Sequence, residues 1–183
     1  EILPEPLSDT EKSDIRNAVD KALDCDVIIA VLGEDEYRTG ESRSRTSLDL
    51  PGRQQELLEA LHATGKPVVV VLINGQPLTI NWADKHIPAI LETWFPSCQG
   101  GTIIAETLFG DYNPGGKLTV TFPKSVGQIE LNFPFKPGSH GTQPQSGPNG
   151  SGSTRVMGEL YPFGHGLSYT SFEYSDLTVT PLE

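Results

Sequence analysis

Two uninterrupted runs of six apolar residues, 27–32 (Val-Ile-Ile-Ala-Val-Leu) and 68–73 (Val-Val-Val-Val-Leu-Ile), constrain this chain more than any other feature. A run apolar at every position has no side to turn to water. At strand length it fits a parallel sheet covered on both faces rather than a half-exposed antiparallel one. The β-branched second run favours a pleated sheet strongly. Six residues is far short of the ~20 needed to cross a bilayer, so no membrane span is expected.

Helical patterns alternate with these runs. Ser8-Asp9-Thr10-Glu11 reads as a capping box, and Ile15, Ala18, Val19, Ala22 and Leu23 then recur at helical spacing, which predicts an amphipathic helix over 10–24. A polar loop over 33–47 leads through Leu50-Pro51-Gly52 into a helix carrying Leu57, Leu58 and Leu61 on one face and closed by Gly65. After the second strand come a turn at Asn74-Gly75-Gln76-Pro77, a short segment over 81–86 and a strand expected over 89–95, ended by Pro96. Gln99-Gly100-Gly101-Thr102 opens a further helix, stopped by Gly110, and 117–122 (Lys-Leu-Thr-Val-Thr-Phe) reads as a strand. Strands separated by helices predict an α/β fold: a three-layer sandwich with a mostly parallel sheet covered by helices. From 134 to 153, thirteen of twenty residues are Gly, Pro or Ser, which predicts a long loop, either bordering a binding site or simply mobile. The alternation of Phe172, Tyr174, Leu177 and Val179 suggests a strand or two over 171–181.

The 183 residues carry 13 Lys and Arg against 24 Asp and Glu, a net charge of −11, with the basic residues scattered, so a nucleic-acid partner is not expected. Two cysteines, Cys25 and Cys98, supply neither a disulfide framework nor a zinc site. His62, His86, His140 and His165 lie far apart without ligand-like spacing, so neither a metal nor a cofactor is expected. No Gly-x-Gly-x-x-Gly follows the first strand, which disfavours a nucleotide-binding domain.

In parallel α/β sheets ligands gather at the carboxyl ends of the strands, which selects the loops after residues 32, 73 and 95. The first holds four carboxylates, Glu34, Asp35, Glu36 and Glu41, and three guanidiniums, Arg38, Arg43 and Arg45, within thirteen residues. Such a loop can tune a carboxyl group for general acid/base work, or it can be a solvated, salt-bridged surface loop; pattern does not choose among the four. Gly100-Gly101-Thr102 suits an anion-binding helix start or, more simply, a tight strand-to-helix turn. Trp82, Trp94 and Phe95 could stack on a sugar, though each lies in or beside an apolar element and reads first as core.

Five ordered motifs carry a family resemblance. They are 27–57, with Gly40-Glu-Ser-Arg-Ser-Arg45 and Leu48-Asp-Leu-Pro-Gly-Arg-Gln-Gln-Glu-Leu57; Thr64-Gly-Lys-Pro-Val-Val-Val-Val-Leu-Ile-Asn-Gly75; Ala89-Ile-Leu-Glu-Thr-Trp-Phe-Pro96; 100–116, ending Leu-Phe-Gly-Asp-Tyr-Asn-Pro-Gly-Gly; and Tyr161-Pro-Phe-Gly-His-Gly-Leu-Ser-Tyr169. Together they resemble the α/β-sandwich domain of glycoside hydrolase family 3, bacterial β-glucosidase type. His165 stands where members commonly carry an aromatic, and Cys98 where the residue is usually small or polar.

The resemblance implies an active site between two domains. A barrel donates an aspartate nucleophile and the α/β domain a glutamate acid/base, which the motif places at Glu41, with Glu34 as the fallback. It implies a retaining, exo-acting β-glucosidase whose substrates are β-glucosides or gluco-oligosaccharides, in the periplasm or secreted. On this reading residues 1–170 are the α/β-sandwich domain without its beginning, 171–183 open a truncated fibronectin-like β-sandwich, and the N-terminal barrel of the same chain is missing. The piece alone is expected to be nearly inactive. The rival reading is a non-catalytic carbohydrate-binding or interaction module.

Overall fold

The computed structural model describes residues 5–128, 156 and 158–180. Ser8 opens the first helix, α1 (Asp9–Leu23): its hydroxyl accepts the Glu11 backbone N–H at 3.2 Å, and the Glu11 carboxylate accepts the Ser8 backbone N–H at 2.7 Å. The Ser8 backbone N–H and then the Ser8 hydroxyl, which also donates to Glu11 Oε2 at 2.8 Å, followed by the Arg53 guanidinium at 2.9 Å, pull the Glu11 carboxyl down from 4.5 to about 2. Ser8→Ala is expected to cost about 1 kcal/mol and to lower the thermal midpoint by about 3 °C in a melt followed by circular dichroism.

Strand β1 (Ile28–Gly33), helix α2 (Gln54–His62), strand β2 (Val68–Ile73), the short helix α3 (Asn81–His86), strand β3 (Ala89–Glu92) and helix α4 (Gly100–Phe109) follow. The strands form one parallel sheet in the order β1-β2-β3, with Gly33 opposite Ile73 and Leu72 opposite Glu92. This is the α/β architecture that the apolar runs predicted, and its register aligns the three carboxyl ends along one edge. Ile28, Ala30 and Leu32 of β1 and Val68, Val70 and Leu72 of β2 point into a core closed by Leu58 and Leu61 of α2 and by Leu78, Ile80, Ala83 and Phe122. On the opposite face Val71 is sealed, whereas Ile29 and Val31 of the edge strand stay 44% and 57% exposed.

Three expectations need correction. Strand β3 stops at Glu92 rather than reaching residue 95, because Trp94 adopts a left-handed backbone (φ 52°) and gives its N–H to the Glu92 carboxylate at 2.8 Å, leaving the ladder before Pro96 is met. Residues 117–122 form no strand. They meet residues 160–165 through an isolated bridge, Phe122 to Tyr161, and through bonds joining Leu118 to Gly164 and His165. Pro162, lacking an N–H, lies between these points and interrupts the ladder. Residues 171–180 carry no regular structure, and Phe172, Tyr174, Leu177 and Val179 are exposed. The Gly-, Pro- and Ser-rich stretch 134–153, with His140, lies outside the described residues.

Candidate active site at the carboxyl edge of the sheet

The end of β1 is fixed by a close backbone approach to β2 and by one side chain. Gly33 has φ +132°, and a Cβ there would lie 1.9 Å from the Ile73 carbonyl oxygen, so no other residue fits against β2. The Gln54 side chain clamps it from both sides: its Oε1 accepts the Gly33 N–H at 2.7 Å and its Nε2 donates to the Gly33 carbonyl at 2.8 Å. Glu34 continues the ladder by one bond, donating its N–H to the Ile73 carbonyl at 2.8 Å. An open cavity of about 410 Å³ lies here, lined by Gly33, Glu34, Asp35, Arg38 and Gln54 among others.

The four loop carboxylates divide by environment. The Glu34 side chain is fully enclosed; its Oε1 takes a bond from Arg45 Nη1 and one from Gln76 Nε2 at 3.1 Å, and its Oε2 has no partner. Asp35 caps its own turn, accepting the Tyr37 N–H at 3.0 Å with Arg38 at 3.7 Å. Glu36 and Glu41 are exposed. Glu41 sits at the apex of a turn between Gly40 (φ +140°) and Ser42 (φ 62°), and its carboxylate has no hydrogen bond or ion pair to the described residues. Arg43 bonds the Tyr37 carbonyl and closes the turn from below.

At the ends of β2 and β3 sits a second polar group that sequence reasoning missed. Asn74, completely buried, donates from Nδ2 to the Gln76 carbonyl at 2.8 Å and to Glu92 Oε2 at 3.3 Å, and its Oδ1 is unpartnered. Burial pushes the Glu92 carboxyl up from 4.5 to about 7 against the opposing pull of the Trp94 N–H and the Asn74 amide. The signal was present: one carboxylate closing an otherwise apolar strand, at the edge where ligands gather.

The remaining candidates resolve into packing. Trp82 and Trp94 lie against the core, while Phe95 is half exposed. His62 and His86 pack around Trp82, with the His86 ring stacked on it at 4.4 Å, and His165 stacks on Tyr161 at 5.0 Å. Gly100 faces Pro96, where a Cβ would meet the proline ring at 2.5 Å, as a tight turn into α4 requires. Cys25 and Cys98 are free and exposed. Among the described residues no group of three or more His, Cys, Asp or Glu is placed to hold a metal, and no helix is long and apolar enough to cross a membrane.

In a parallel α/β domain ligands gather at the strand-end loops, which here carry the enclosed Glu34 and the exposed Glu36 and Glu41. The profile of the glycosyl hydrolase family 3 C-terminal domain matches residues 5–169, and the chain belongs to this family. It is 47% identical over 169 residues to a periplasmic β-glucosidase of Salmonella typhimurium and 45% identical over 165 residues to a β-xylosidase of Formosa agariphila. These alignments cover 91% and 89% of the chain but only 22% of either relative. A β-glucosidase from Listeria innocua superposes with a TM-score of 0.73 at 33% identity, and one from Erythrobacter marinus with 0.70 at 42%; each match covers 92% of this chain and 23% of the other.

Proposed function

We propose that this chain is the acid/base-donating domain of a longer, retaining exo-β-glucosidase, with Glu41 as the general acid and base and the nucleophile supplied by a barrel domain of the same polypeptide. The observation that carries this reading is an exposed carboxyl, without a partner among the described residues, at a turn apex on the carboxyl edge of the sheet, in a chain that belongs to a glycosidase family. Retention requires two carboxyl groups about 5–5.5 Å apart, one attacking the anomeric carbon and the other first protonating the glycosidic oxygen, then activating water. Glu41 is free to do the second job. Glu34, the fallback, is enclosed and held by Arg45 and Gln76, which keeps it from a substrate oxygen. The rival binding-module reading would rest on exposed Tyr faces such as Tyr37, since Trp82 and Trp94 pack against the core.

Terminal β-glucosides are the proposed substrates and the periplasm the proposed location, following the Salmonella relative; the Formosa relative makes β-xylosides the control substrate. The 183-residue piece by itself is expected to hydrolyse neither at a useful rate. The direct test uses the parent chain with Glu41→Ala, an aryl β-glucoside bearing an activated leaving group, and azide. Without its base the enzyme stalls at the glycosyl intermediate, and azide, which needs no deprotonation, should release β-glucosyl azide. An α-configured product, or undiminished hydrolysis of an unactivated β-glucoside, overturns the reading.

A further inference from the structure

We propose that Arg45 is a positioning residue for Glu41, acting through its buried ion pair with Glu34; the inference rests on the acid/base reading of Glu41. The loop between β1 and α2 contains no helix or strand, and within the Glu41 turn the backbone supplies one bond, Arg43 N–H to the Gly40 carbonyl at 3.2 Å. A turn built on Gly40 at φ +140° and Ser42 at φ 62° has no ladder of its own to set its height above the sheet. Its placement comes from what holds its two ends.

Both ends are pinned to the carboxyl edge. On the far side of the turn, Arg45 reaches back eleven residues to the Glu34 carboxylate; the Arg45 side chain is 16% exposed and that of Glu34 0%. Gln76 donates to the same Glu34 oxygen at 3.1 Å, which fastens the pair to the turn after β2. A carboxylate enclosed this way is strongly unfavourable without its cation, so the guanidinium is held in place as firmly as the strand end itself. On the near side, Thr39 lies against Gly75. A Cβ at Gly75 would come within 2.9 Å of Thr39 Oγ1 and 2.6 Å of Phe95 Cε2, so the absence of a side chain there lets all three strand-end loops converge. Glu41 is two residues from one anchor and four from the other.

The chemistry requires that arrangement. Proton delivery to a departing oxygen is sensitive to misplacement on the scale of 1 Å, whereas departure of an activated leaving group is not. Arg45 holds Glu34 through Nη1 alone; lysine at 45 retains the charge that Glu34 needs, but its side chain is one atom shorter, so the turn must shift to keep the pair. Gly75→Ala perturbs the other anchor without touching any charge, and since Gly75 has no left-handed backbone, its effect is steric.

The experiment measures kcat/KM in the parent chain for methyl β-glucoside, a poor leaving group, and for a dinitrophenyl β-glucoside, with Arg45→Lys, Gly75→Ala, Glu41→Gln and the double variant Arg45→Lys/Glu41→Gln. Arg45→Lys should lower the methyl glucoside value by about tenfold and the dinitrophenyl value by less than about threefold. Gly75→Ala should move in the same direction by a smaller factor, and it keeps the test alive if the lysine variant folds poorly. With glutamine at 41, Arg45→Lys should add no further loss on the methyl glucoside, because the group it positions is gone. Equal losses on both substrates mark a merely structural residue and overturn the proposal, as does an additive double variant or no loss in either anchor variant. If Glu41→Gln alone leaves methyl glucoside turnover intact, the acid/base reading fails and the inference with it; a loss in Glu41→Gln with none in the anchor variants removes the inference only.

Discussion

Glutamine in place of Glu41 is expected to lower kcat/KM for methyl β-glucoside in the parent chain by about 10²–10⁴-fold, the range that general acid catalysis supplies. An alkoxide leaves only when a proton reaches it as the bond breaks, and the glutamine amide has no such proton to give. A dinitrophenolate leaves unaided, so kcat/KM for that substrate should stay within about tenfold. The second half-reaction separates the roles further. Water attacking the glycosyl intermediate needs a base, so with the activated substrate the variant should show a burst of dinitrophenolate followed by a slow steady state. Stopped-flow absorbance on both substrates checks all three features. Comparable losses on the two glucosides with no burst would mean that Glu41 does not handle the proton.

The contrast with Glu34 gives that prediction its structural basis. The two carboxylates share one loop, yet Glu34 is enclosed with a guanidinium on one oxygen and Glu41 stands exposed on a turn, without a partner among the described residues. Charge pattern could not separate them, since the Arg45–Glu34 pair spans eleven residues and exists only once the loop has folded back over Gln76. The family motif pointed to Glu41, whereas the geometry explains why its neighbour is unavailable and what holds the turn.

The same division runs through the fold. The strands were legible because a run such as Val68–Ile73 has one low-energy outcome in water, burial on both faces of a sheet, and α1 was legible because Ser8 and Glu11 close a local capping box. Residues 117–122 alternate as a strand should, but a strand needs a partner, and the segment facing it contains Pro162 and the left-handed Gly164. Likewise β3 ends where Glu92 captures the Trp94 N–H, a contact invisible to propensity because it trades two ladder residues for one side-chain bond. Asn74 and Glu92 escaped notice for a related reason: Asn74 reads as the start of a turn and Glu92 as a break in an apolar strand, and only the parallel register brings them side by side.

The buried Asn74 and its partly buried partner Glu92 lead to a second expected effect, on stability. The Glu92 carboxyl titrates at about 7 in the folded chain, mainly because burial penalises its charge, and at about 4.5 when unfolded. Below 4.5 both states are protonated and the group is neutral to folding. Between 4.5 and about 7 the unfolded chain loses this proton while the folded chain keeps it, so stability falls as pH rises through that window and levels off above it. The difference of about 2.5 pH units, at about 1.4 kcal/mol each, amounts to about 3.5 kcal/mol. Glu11 works in the opposite sense at lower pH: its carboxyl is held at about 2, so the stabilisation it brings is present above 4.5 and lost as pH falls toward 2. The contributions of these two groups taken alone are jointly most favourable near pH 4.5. Glu92→Gln keeps an acceptor for the Trp94 N–H and removes the titration. Urea unfolding of the 183-residue chain at pH 5 and pH 8 should therefore show the variant gaining up to about 3.5 kcal/mol on the wild type at the higher pH and little at the lower. An unchanged difference between wild type and variant at the two pH values would mean that the Glu92 carboxyl is already ionised in the folded domain at pH 5.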